Sequence, residues 1–300
     1  MTTLLQIAVS GVALGFLYAL VSLSFVVLVK ATGHFNLLPG SFVLLGAYGT
    51  FEVARAGVPF WLAVVLSILI VAAVGLVIHY TIFQRIDRQA TTTAAGLAIL
   101  LVTIGLLSLS QAFAVSTWGA DVVLLGDPWG LTTYPIAGAA ISQRDIWVIL
   151  LSLAVLAVFW LVMQRTRVGV GMRALASDPH AAFVQGISPS RVAPVAWTMS
   201  AGAAVLAGVL MATEAGGGLR PTLDVVAFTA LPALILGGLR SEPGCIAGGL
   251  LLGIVQQFAL GYAPPAFGHG FSTVLPWIIM IVVLLVRPSG LFATREVRRA

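Results

Sequence analysis

Residues 7–29 read IAVSGVALGFLYALVSLSFVVLV, a stretch without a charged side chain that ends at Lys30. The hydrocarbon core of a bilayer is about 30 Å thick, and a helix needs about 20 apolar residues to cross it. The stretch therefore predicts a membrane-spanning helix. No Lys or Arg precedes Lys30, so the basic start of a cleavable signal peptide is missing. We interpret the stretch as a retained first helix.

Similar stretches recur along the whole chain. Of its 300 residues, 60% are hydrophobic and 8% are charged, whereas soluble domains carry about a quarter charged residues. This composition argues against a soluble enzyme, a disordered tail or a nucleic-acid binder. We predict an all-α, polytopic membrane protein that forms a single domain over residues 1–300, with about nine (eight to ten) transmembrane segments. The nine segments are 7–29, 37–51, 60–83, 94–118, 146–163, 193–213, 225–239, 243–263 and 271–286.

The basic residues are divided unequally between the loops that nine alternating segments would create. Three of the 15 Lys and Arg residues, namely Arg55, Arg144 and Arg220, fall on one side, and the other twelve fall on the opposite side. Because Lys and Arg accumulate in cytoplasmic loops, we predict that the N-terminus is outside and the C-terminus cytoplasmic. The twelve are Lys30, Arg85, Arg88, Arg165, Arg167, Arg173, Arg191, Arg240, Arg287, Arg295, Arg298 and Arg299.

Two of the hydrophobic segments are short and contain residues that interrupt helices. Segment 37–51 contains Pro39 and Gly40, and segment 225–239, in the other half of the chain, contains Pro232. Broken segments in corresponding positions of two halves are typical of a translocation path in transporters. Ordinary helix kinks are the alternative interpretation.

Pairs of glycines four residues apart occur in two other segments. Such pairs allow helix backbones to approach closely. We expect close helix packing at these positions. The pairs are Gly11 with Gly15, Gly244 with Gly248, and Gly249 with Gly253.

The loop 164–194 is long enough to fold by itself. Asp178 is followed by Pro179, an arrangement typical of a helix N-terminus. Gly186 is expected to end this helix, because glycine tolerates the left-handed conformation of many C-terminal caps. We predict one or two short cytoplasmic helices that dock a partner, with Ala181, Ala182 and Phe183 as the apolar face.

The sequence lacks the motifs that are typical of metal-binding, ATP-binding and catalytic sites. The four histidines show no metal-ligand spacing, no phosphate-binding loop for ATP is present, and the single cysteine, Cys245, lies in an apolar, Gly-rich run. We therefore predict no catalytic residue, no metal and no cofactor. We expect Gln111, Gln256 and similar groups to bond between helices. Glu214 and Asp224 are expected on the outer side, either docking a binding protein or merely solvated.

Four stretches resemble the permeases of branched-chain amino-acid ABC importers, specifically the LivH type of membrane subunit. The first is Phe35–Gly40, followed by Gly46–Tyr48. The second runs from Gly171 to Asp178 and continues to Ala182, Gly186 and Ile187, like the ATPase-docking loop of that family. The third comprises residues 227–230, 236–238 and 243–244, and the fourth is residues 287–292.

The resemblance implies a permease subunit that forms part of a path for branched-chain amino acids or a similar small polar solute in a bacterial inner membrane. It also implies a second related permease, two cytoplasmic ATP-binding subunits, an extracytoplasmic solute-binding protein and membrane lipid as partners. Two alternatives remain open: a passive channel for a small neutral solute, or a permease of the same family for urea or short amides. The coupling residues it implies are Arg173, Asp178, Ala182, Phe183 and Gly186, and the path residues are Asn36, Pro39, Gly40, Gly46, Tyr48, Gly237 and Gly238.

Overall fold

The computed structural model describes most of the chain as helix. It describes residues 2–89, 92–126, 128–130, 132–136, 138–214, 218–239, 241–264, 268, 270–287 and 290–291. Arg240, Arg295, Arg298, Arg299 and part of the motif 287–292 lie outside these residues. The helices are α1 (Thr2–Thr32), α2 (Leu38–Arg55), α3 (Phe60–Ile78, continued by a π-helical turn His79–Phe83), α4 (Gln84–Gln89), α5 (Thr92–Trp118), α6 (Gln143–Arg165), α7 (Arg167–Ser177), α8 (Pro179–Val184), α9 (Pro189–Ala212), α10 (Leu223–Phe228), α11 (Leu231–Gly237), α12 (Glu242–Tyr262) and α13 (Phe271–Val286).

Six of the described helices are long and apolar enough to cross a membrane: α1, α3 with its extension, α5, α6, α9 and α12. The chain is therefore a polytopic, helical membrane protein, as predicted. The shorter α13 is also apolar. Segment 37–51 forms α2, whereas segment 225–239 is divided into α10 and α11 rather than forming one helix. The count of nine crossings and the orientation of the termini stay predictions.

A small β-hairpin departs from the all-α prediction. Strand β1 (Thr133–Ile136) pairs antiparallel with β2 (Ala139–Ser142), in the loop between α5 and α6. Thr, Tyr and Ile in this loop favour extended structure. The hairpin lies directly before α6.

The centre of the molecule consists of α1 and α9, which pack against each other and against α2, α3, α6 and α12. The most apolar 18-residue window is 89% buried in α1 and 78% buried in α9. Small side chains fill α9, where residues 203–212 are all buried. Small residues allow helices to pack closely inside a membrane.

The crossing of α1 and α12 confirms the predicted role of two glycine pairs. A Cβ at Gly15 would lie 2.7 Å from Cα of Leu250, and one at Gly249 would lie 2.8 Å from the backbone O of Gly15. A Cβ at Gly253 would overlap the backbone of Gly15 still more closely. Side chains are therefore excluded from both helices at this crossing.

A second face of α12 packs on α11. A Cβ at Gly248 would lie 2.5 Å from the backbone O of Ala233, and Gly244 and Gly237 meet backbone to backbone. The glycines of α12 thus allow it to approach α1 on one side and α11 on another.

An ion pair closes the end of the bundle where α1 ends and α12 begins. Nζ of Lys30 lies 2.6 Å from Oε1 of Glu242. The two side chains are 11% and 16% exposed, so the pair is largely removed from water. It joins two helices whose contact residues are far apart in sequence.

Between α1 and α2 the chain reverses and runs back along α1. Gly33 has φ of +75°, and the ring of Phe35 stacks on Phe25 with centroids 5.9 Å apart. Asn36 lies just before α2, where its Oδ1 accepts a hydrogen bond of 2.7 Å from the backbone N–H of Leu38, the first helical residue. As a result, α2 begins beside the body of α1 rather than beyond its end.

Candidate functional site

The two broken segments predicted from the sequence meet in the structure, where α10 packs against α2. The absence of a side chain at Gly40 permits this contact. A Cβ at Gly40 would lie 3.5 Å from the backbone O of Asp224, 3.8 Å from Cβ of Asp224, and 3.0 Å from Cδ1 of Leu107 in α5. Three helices, α2, α5 and α10, therefore converge at Gly40.

Asp224 lies at this convergence and is completely buried. Its Oδ1 accepts a hydrogen bond of 3.0 Å from Nε2 of Gln111 and one of 2.9 Å from the backbone N–H of Val225. Its Oδ2 has no hydrogen-bond partner among the described residues. The nearby hydroxyls of Ser41 and Ser110 bond to each other at 3.0 Å.

Asp224 is therefore neither solvated nor exposed for docking, contrary to expectation, whereas its placement toward the extracytoplasmic side stays a prediction. The helix begins at Leu223, so Asp224 falls inside its first turn and is pressed against α2 and α5 instead of standing in a loop. Glu214 is exposed, as expected. The predicted helix-to-helix bonds of the glutamines are confirmed: Gln111 bonds to Asp224, and Gln256 accepts a bond of 2.7 Å from the Tyr18 hydroxyl.

An aromatic layer lies further along α2 and α5. The rings of Tyr48 and Trp118 stack with centroids 4.6 Å apart, and Nε1 of Trp118 donates a hydrogen bond of 2.6 Å to Oε1 of Glu52. We call these three residues the Trp118 layer. Trp118 is seven residues beyond Gln111, which is about 10 Å along the helix axis. The Trp118 layer therefore separates Asp224 from the loop that follows α5.

Two backbone hydrogen bonds join the segments next to the Trp118 layer. The N–H of Val123 donates to the carbonyl of Leu219 at 3.0 Å, and the N–H of Leu219 donates to the carbonyl of Val123 at 2.8 Å. The segment that leads into α10 is thus held against the segment that leaves α5.

The remaining predicted path residues occupy different positions. Asn36 is buried, and its Nδ2 has no partner among the described residues. Pro39 lies in the first turn of α2. Gly46 is at the crossing of α2 and α9, where a Cβ would lie 2.5 Å from Cγ2 of Val205.

At the far end of α11, Gly237 packs on α12, and Gly238 has φ of +89° in the turn that follows α11. The structure thus places Gly40 beside Asp224 and Tyr48 in the Trp118 layer. It places Gly46 and Gly237 at helix crossings.

The predicted helix in the loop 164–194 is confirmed as α8. Oδ1 of Asp178 accepts a hydrogen bond of 3.0 Å from the backbone N–H of Ala181, and Pro179 is the first helical residue. Gly186 has φ of +80° and donates its N–H to the carbonyl of Phe183 at 2.9 Å. The sequence signals at both ends of this short helix are therefore correct.

The predicted apolar face of α8 is partly wrong. Ala182 is 3% exposed, because α8 packs against α7 and this residue is directed inward. Ala181 is exposed as predicted, and the large exposed apolar side chains are those of Phe183 (69%) and Val184 (86%). Arg173 lies on α7, where its Nη1 donates a hydrogen bond of 2.6 Å to Oε1 of Gln164.

Beside α8 there is a groove of about 590 Å³. Its wall carries two arginines, Arg167 and Arg191, together with apolar side chains. The remaining residues that line the groove are Val168, Val170, Gly171, Gly186, Ile187, Ser188 and Val192. An exposed apolar helix next to a basic groove offers two complementary contacts to one partner.

Residues 7–284 match the protein family described as the branched-chain amino acid transport system / permease component. The chain belongs to this family. The match confirms the resemblance found in the sequence. It also agrees with the predicted class, a membrane transporter rather than an enzyme.

Curated relatives cover nearly the whole chain. The chain is 28% identical to LivH, the high-affinity branched-chain amino acid transport system permease protein of Salmonella typhimurium, over 98% of this chain and 97% of that one. It is 27% identical to LivM, a permease protein of the same transport system and organism, over 92% of this chain and 67% of LivM. It is also 27% identical to LsrD, the autoinducer 2 import system permease protein of Klebsiella pneumoniae, over 88% and 78%.

Proposed function

We propose that the chain is the membrane permease subunit of an ABC importer and forms one half of its translocation path. The observation that carries the proposal is the meeting of α2 with α10, the first part of the divided segment 225–239, around a buried carboxylate. Interrupted helices that meet inside a bundle leave backbone and polar groups available to a passing solute. A bundle built only for packing has no need of such a group at this position.

The energy source is a separate subunit in this proposal. The sequence lacks a phosphate-binding loop of the Gly-x-x-x-x-Gly-Lys-Ser/Thr type. The exposed pair Phe183 and Val184 and the basic groove beside it suit the docking of two cytoplasmic ATP-binding subunits, one on each permease. This surface also disfavours a passive channel, which requires no driving partner.

The second half of the path comes from a related permease. The chain resembles both LivH and LivM, two permease proteins of one transport system in Salmonella typhimurium. A pair of related chains that pack side by side would cover the exposed outer helices. An extracytoplasmic binding protein completes the assembly, which we place in a bacterial inner membrane.

The solute is a branched-chain amino acid or a similarly small polar molecule. Urea and short amides remain a second candidate, because one of the proteins similar to this chain is named for a different solute, autoinducer 2.

For the topology we propose nine crossings with the N-terminus outside. Cysteine labelling can test this, because the chain's single cysteine, Cys245, is buried. Leu124 and Phe183 are 73% and 69% exposed. In intact cells an impermeant thiol reagent should label Leu124→Cys and leave Phe183→Cys unlabelled. The opposite pattern would reverse the orientation.

Reconstitution tests the function itself. The chain, co-expressed with its neighbouring genes, is purified, and the proteins that accompany it are identified. The complex is then placed in liposomes with the binding protein, and uptake of labelled leucine, urea and acetamide is measured with and without ATP. ATP-dependent uptake of leucine is expected. Uptake that is unchanged without ATP would instead establish a passive channel.

A further inference from the structure

Among the residues that the structure describes, two carboxylates are buried, and they differ in how they are paired. Asp145, which is 8% exposed, accepts a hydrogen bond of 2.7 Å from Ser10 and lies 3.4 Å from Nη1 of Arg144. Asp224 is completely buried. Its two bonds, from Gln111 and from a backbone N–H, both reach the same oxygen, Oδ1.

The unpaired oxygen of Asp224 needs a physical explanation. A carboxylate removed from water is destabilised unless charges or hydrogen-bond donors compensate it. Ionisable groups inside membrane proteins are rare and mark pathways of ions or substrates. Neither Gln111 nor the backbone supplies a positive charge. The negative charge of an ionised Asp224 is therefore only partly stabilised in this structure.

We propose that Oδ2 of Asp224 binds the ammonium group of the transported solute. This inference rests on the proposed function and deepens it, because it selects amino acids over urea and short amides. An ammonium group is a compact cation with three N–H donors, which can satisfy one oxygen and neutralise the carboxylate together. Urea and amides donate hydrogen bonds but bring no charge.

The neighbourhood of Asp224 fits a site of transient binding. Gly40 allows α2 to lie against α10 without a side chain between them, and Gln111 fixes Oδ1 so that Oδ2 remains available. The Trp118 layer closes the site on the side of the loop after α5. Because Oδ2 is buried in this structure, the proposal requires the stacked rings of Tyr48 and Trp118 to separate before a solute can reach it.

The test uses the complete importer in liposomes at saturating binding protein. Asp224→Asn keeps the shape of the side chain and removes its charge. We expect leucine uptake per assembled complex to fall about tenfold or more, as for the loss of one member of a buried charge pair. Asp145→Asn is the matched control, because it removes the other buried carboxylate. It should lower the amount of complex but leave the uptake per complex within about twofold.

Each outcome separates the two proposals. If the wild-type complex transports leucine and Asp224→Asn transports it equally well, the ammonium site is wrong and the importer stands. If Asp224→Asn lowers the amount of assembled complex but leaves the uptake per complex normal, Asp224 has a packing role and the inference is also wrong. If the wild-type complex carries urea or acetamide but not leucine, the proposed amino-acid substrate fails, and the ammonium site fails with it.

A second measurement needs no variant and covers the case in which Asp224→Asn does not assemble. The wild-type complex is treated with dicyclohexylcarbodiimide during ATP-driven turnover, and modified carboxyl groups are located by mass spectrometry. Leucine should slow modification of Asp224, whereas urea should not. Equal modification in the presence and absence of leucine would contradict the inference.

Discussion

The central helices α1 and α9 and the outer helices α5 and α6 are similarly apolar but very differently buried. In α1 and α9 the best membrane-spanning windows have mean hydropathies of 2.5 and 1.8 and are 89% and 78% buried. In α5 and α6 the corresponding hydropathies are 2.1 and 2.8, with only 22% and 28% buried. Hydropathy therefore identifies a spanning helix but does not indicate where the helix lies in the bundle.

The physical reason is that lipid chains are as apolar as a leucine side chain. Burying leucine in protein instead of lipid yields little free energy, so close packing between helices depends on small residues and on polar bonds. The glycines of α1 and α12 and the alanines of α9 provide that packing. On α5 the large side chains Leu97, Leu101 and Phe113 are exposed, which leaves this surface for lipid or for the partner permease.

The largest expected effect is at the crossing of α1 and α12. Gly253→Leu would place a large side chain in the backbone of Gly15, and overpacking a close crossing typically costs about 1–3 kcal/mol or more. We expect the amount of folded protein in the membrane to fall severalfold to tenfold, measured by size-exclusion chromatography of a fluorescent fusion. Gly105→Leu is the matched control, because a Cβ at Gly105 meets nothing within 4 Å.

Gly105 lies on the outer helix α5, so its substitution should leave the amount of protein nearly unchanged. Equal losses for the two variants would show that glycine itself, rather than the crossing, determines folding. The division into central and outer helices would then need revision.

The comparison also shows what the sequence could predict. The spanning segments, the glycine crossings and the capped helix α8 follow from local patterns: apolar length, glycine spacing, and Asp178 followed by Pro179. These patterns act within a few residues or through the shape of one helix face. The sequence therefore predicts these features without knowledge of which helices pack against them.

The burial of Asp224 and Ala182 could not be read in the same way. Both depend on which helices pack against them, α2 and α5 for Asp224 and α7 for Ala182. The interruption of segment 225–239, in contrast, follows from Pro232, which lies in the first turn of α11. A polar residue beside a hydrophobic segment looks solvated until the partner helices are known.

The next largest effect is expected at the ion pair between α1 and α12. Glu242→Gln removes the partner of Lys30, whose side chain is 11% exposed, and a hydrogen bond to a charged group contributes about 1.5–3 kcal/mol. We expect a lower melting temperature of the purified chain in detergent. Arg55→Gln is the control, because it breaks an exposed ion pair. Nη1 of Arg55 lies 3.7 Å from Oε1 of Glu52, and the Arg55 side chain is 71% exposed.

Exposed pairs contribute about 0–1 kcal/mol, so Arg55→Gln should change the melting temperature little. A larger loss for Arg55→Gln than for Glu242→Gln would mean that the Lys30 pair does not stabilise the contact of α1 with α12.

A smaller effect is expected where α2 crosses α9. The resemblance implies that Gly46 is a path residue, but a Cβ at Gly46 would lie 2.5 Å from Cγ2 of Val205, so we expect a substitution there to lower the amount of folded protein. Gly46→Ala adds a single methyl group and should cost about 1–3 kcal/mol. Val205→Ala in the same chain should restore most of the melting temperature. Rescue identifies Val205 as the cause, and failure to rescue would assign Gly46 another role.

The smallest effect on stability is expected in α8, outside the packed centre. Asp178→Ala removes the cap of a short helix and costs about 0.5–2 kcal/mol locally. The melting temperature should therefore remain within about 2 °C, since the loss lies outside the cooperative core. Disorder in α8 would displace the exposed side chains of Phe183 and Val184, so the yield of co-purified ATP-binding subunit should fall although the permease remains folded.

Phe183→Ser tests the same surface without altering the cap. It replaces a side chain that is 69% exposed, and it is better suited than a substitution at the buried Ala182. Leu124→Ser, at a position 73% exposed in the loop after α5, is the control for loss of an exposed apolar residue on the side that we predict to be extracytoplasmic. Phe183→Ser should weaken ATPase co-purification and solute-stimulated ATP hydrolysis, and Leu124→Ser should not. If Asp178→Ala and Phe183→Ser both retain wild-type coupling, α8 is not the docking element. The basic groove between Arg167 and Arg191 would then be the surface to test.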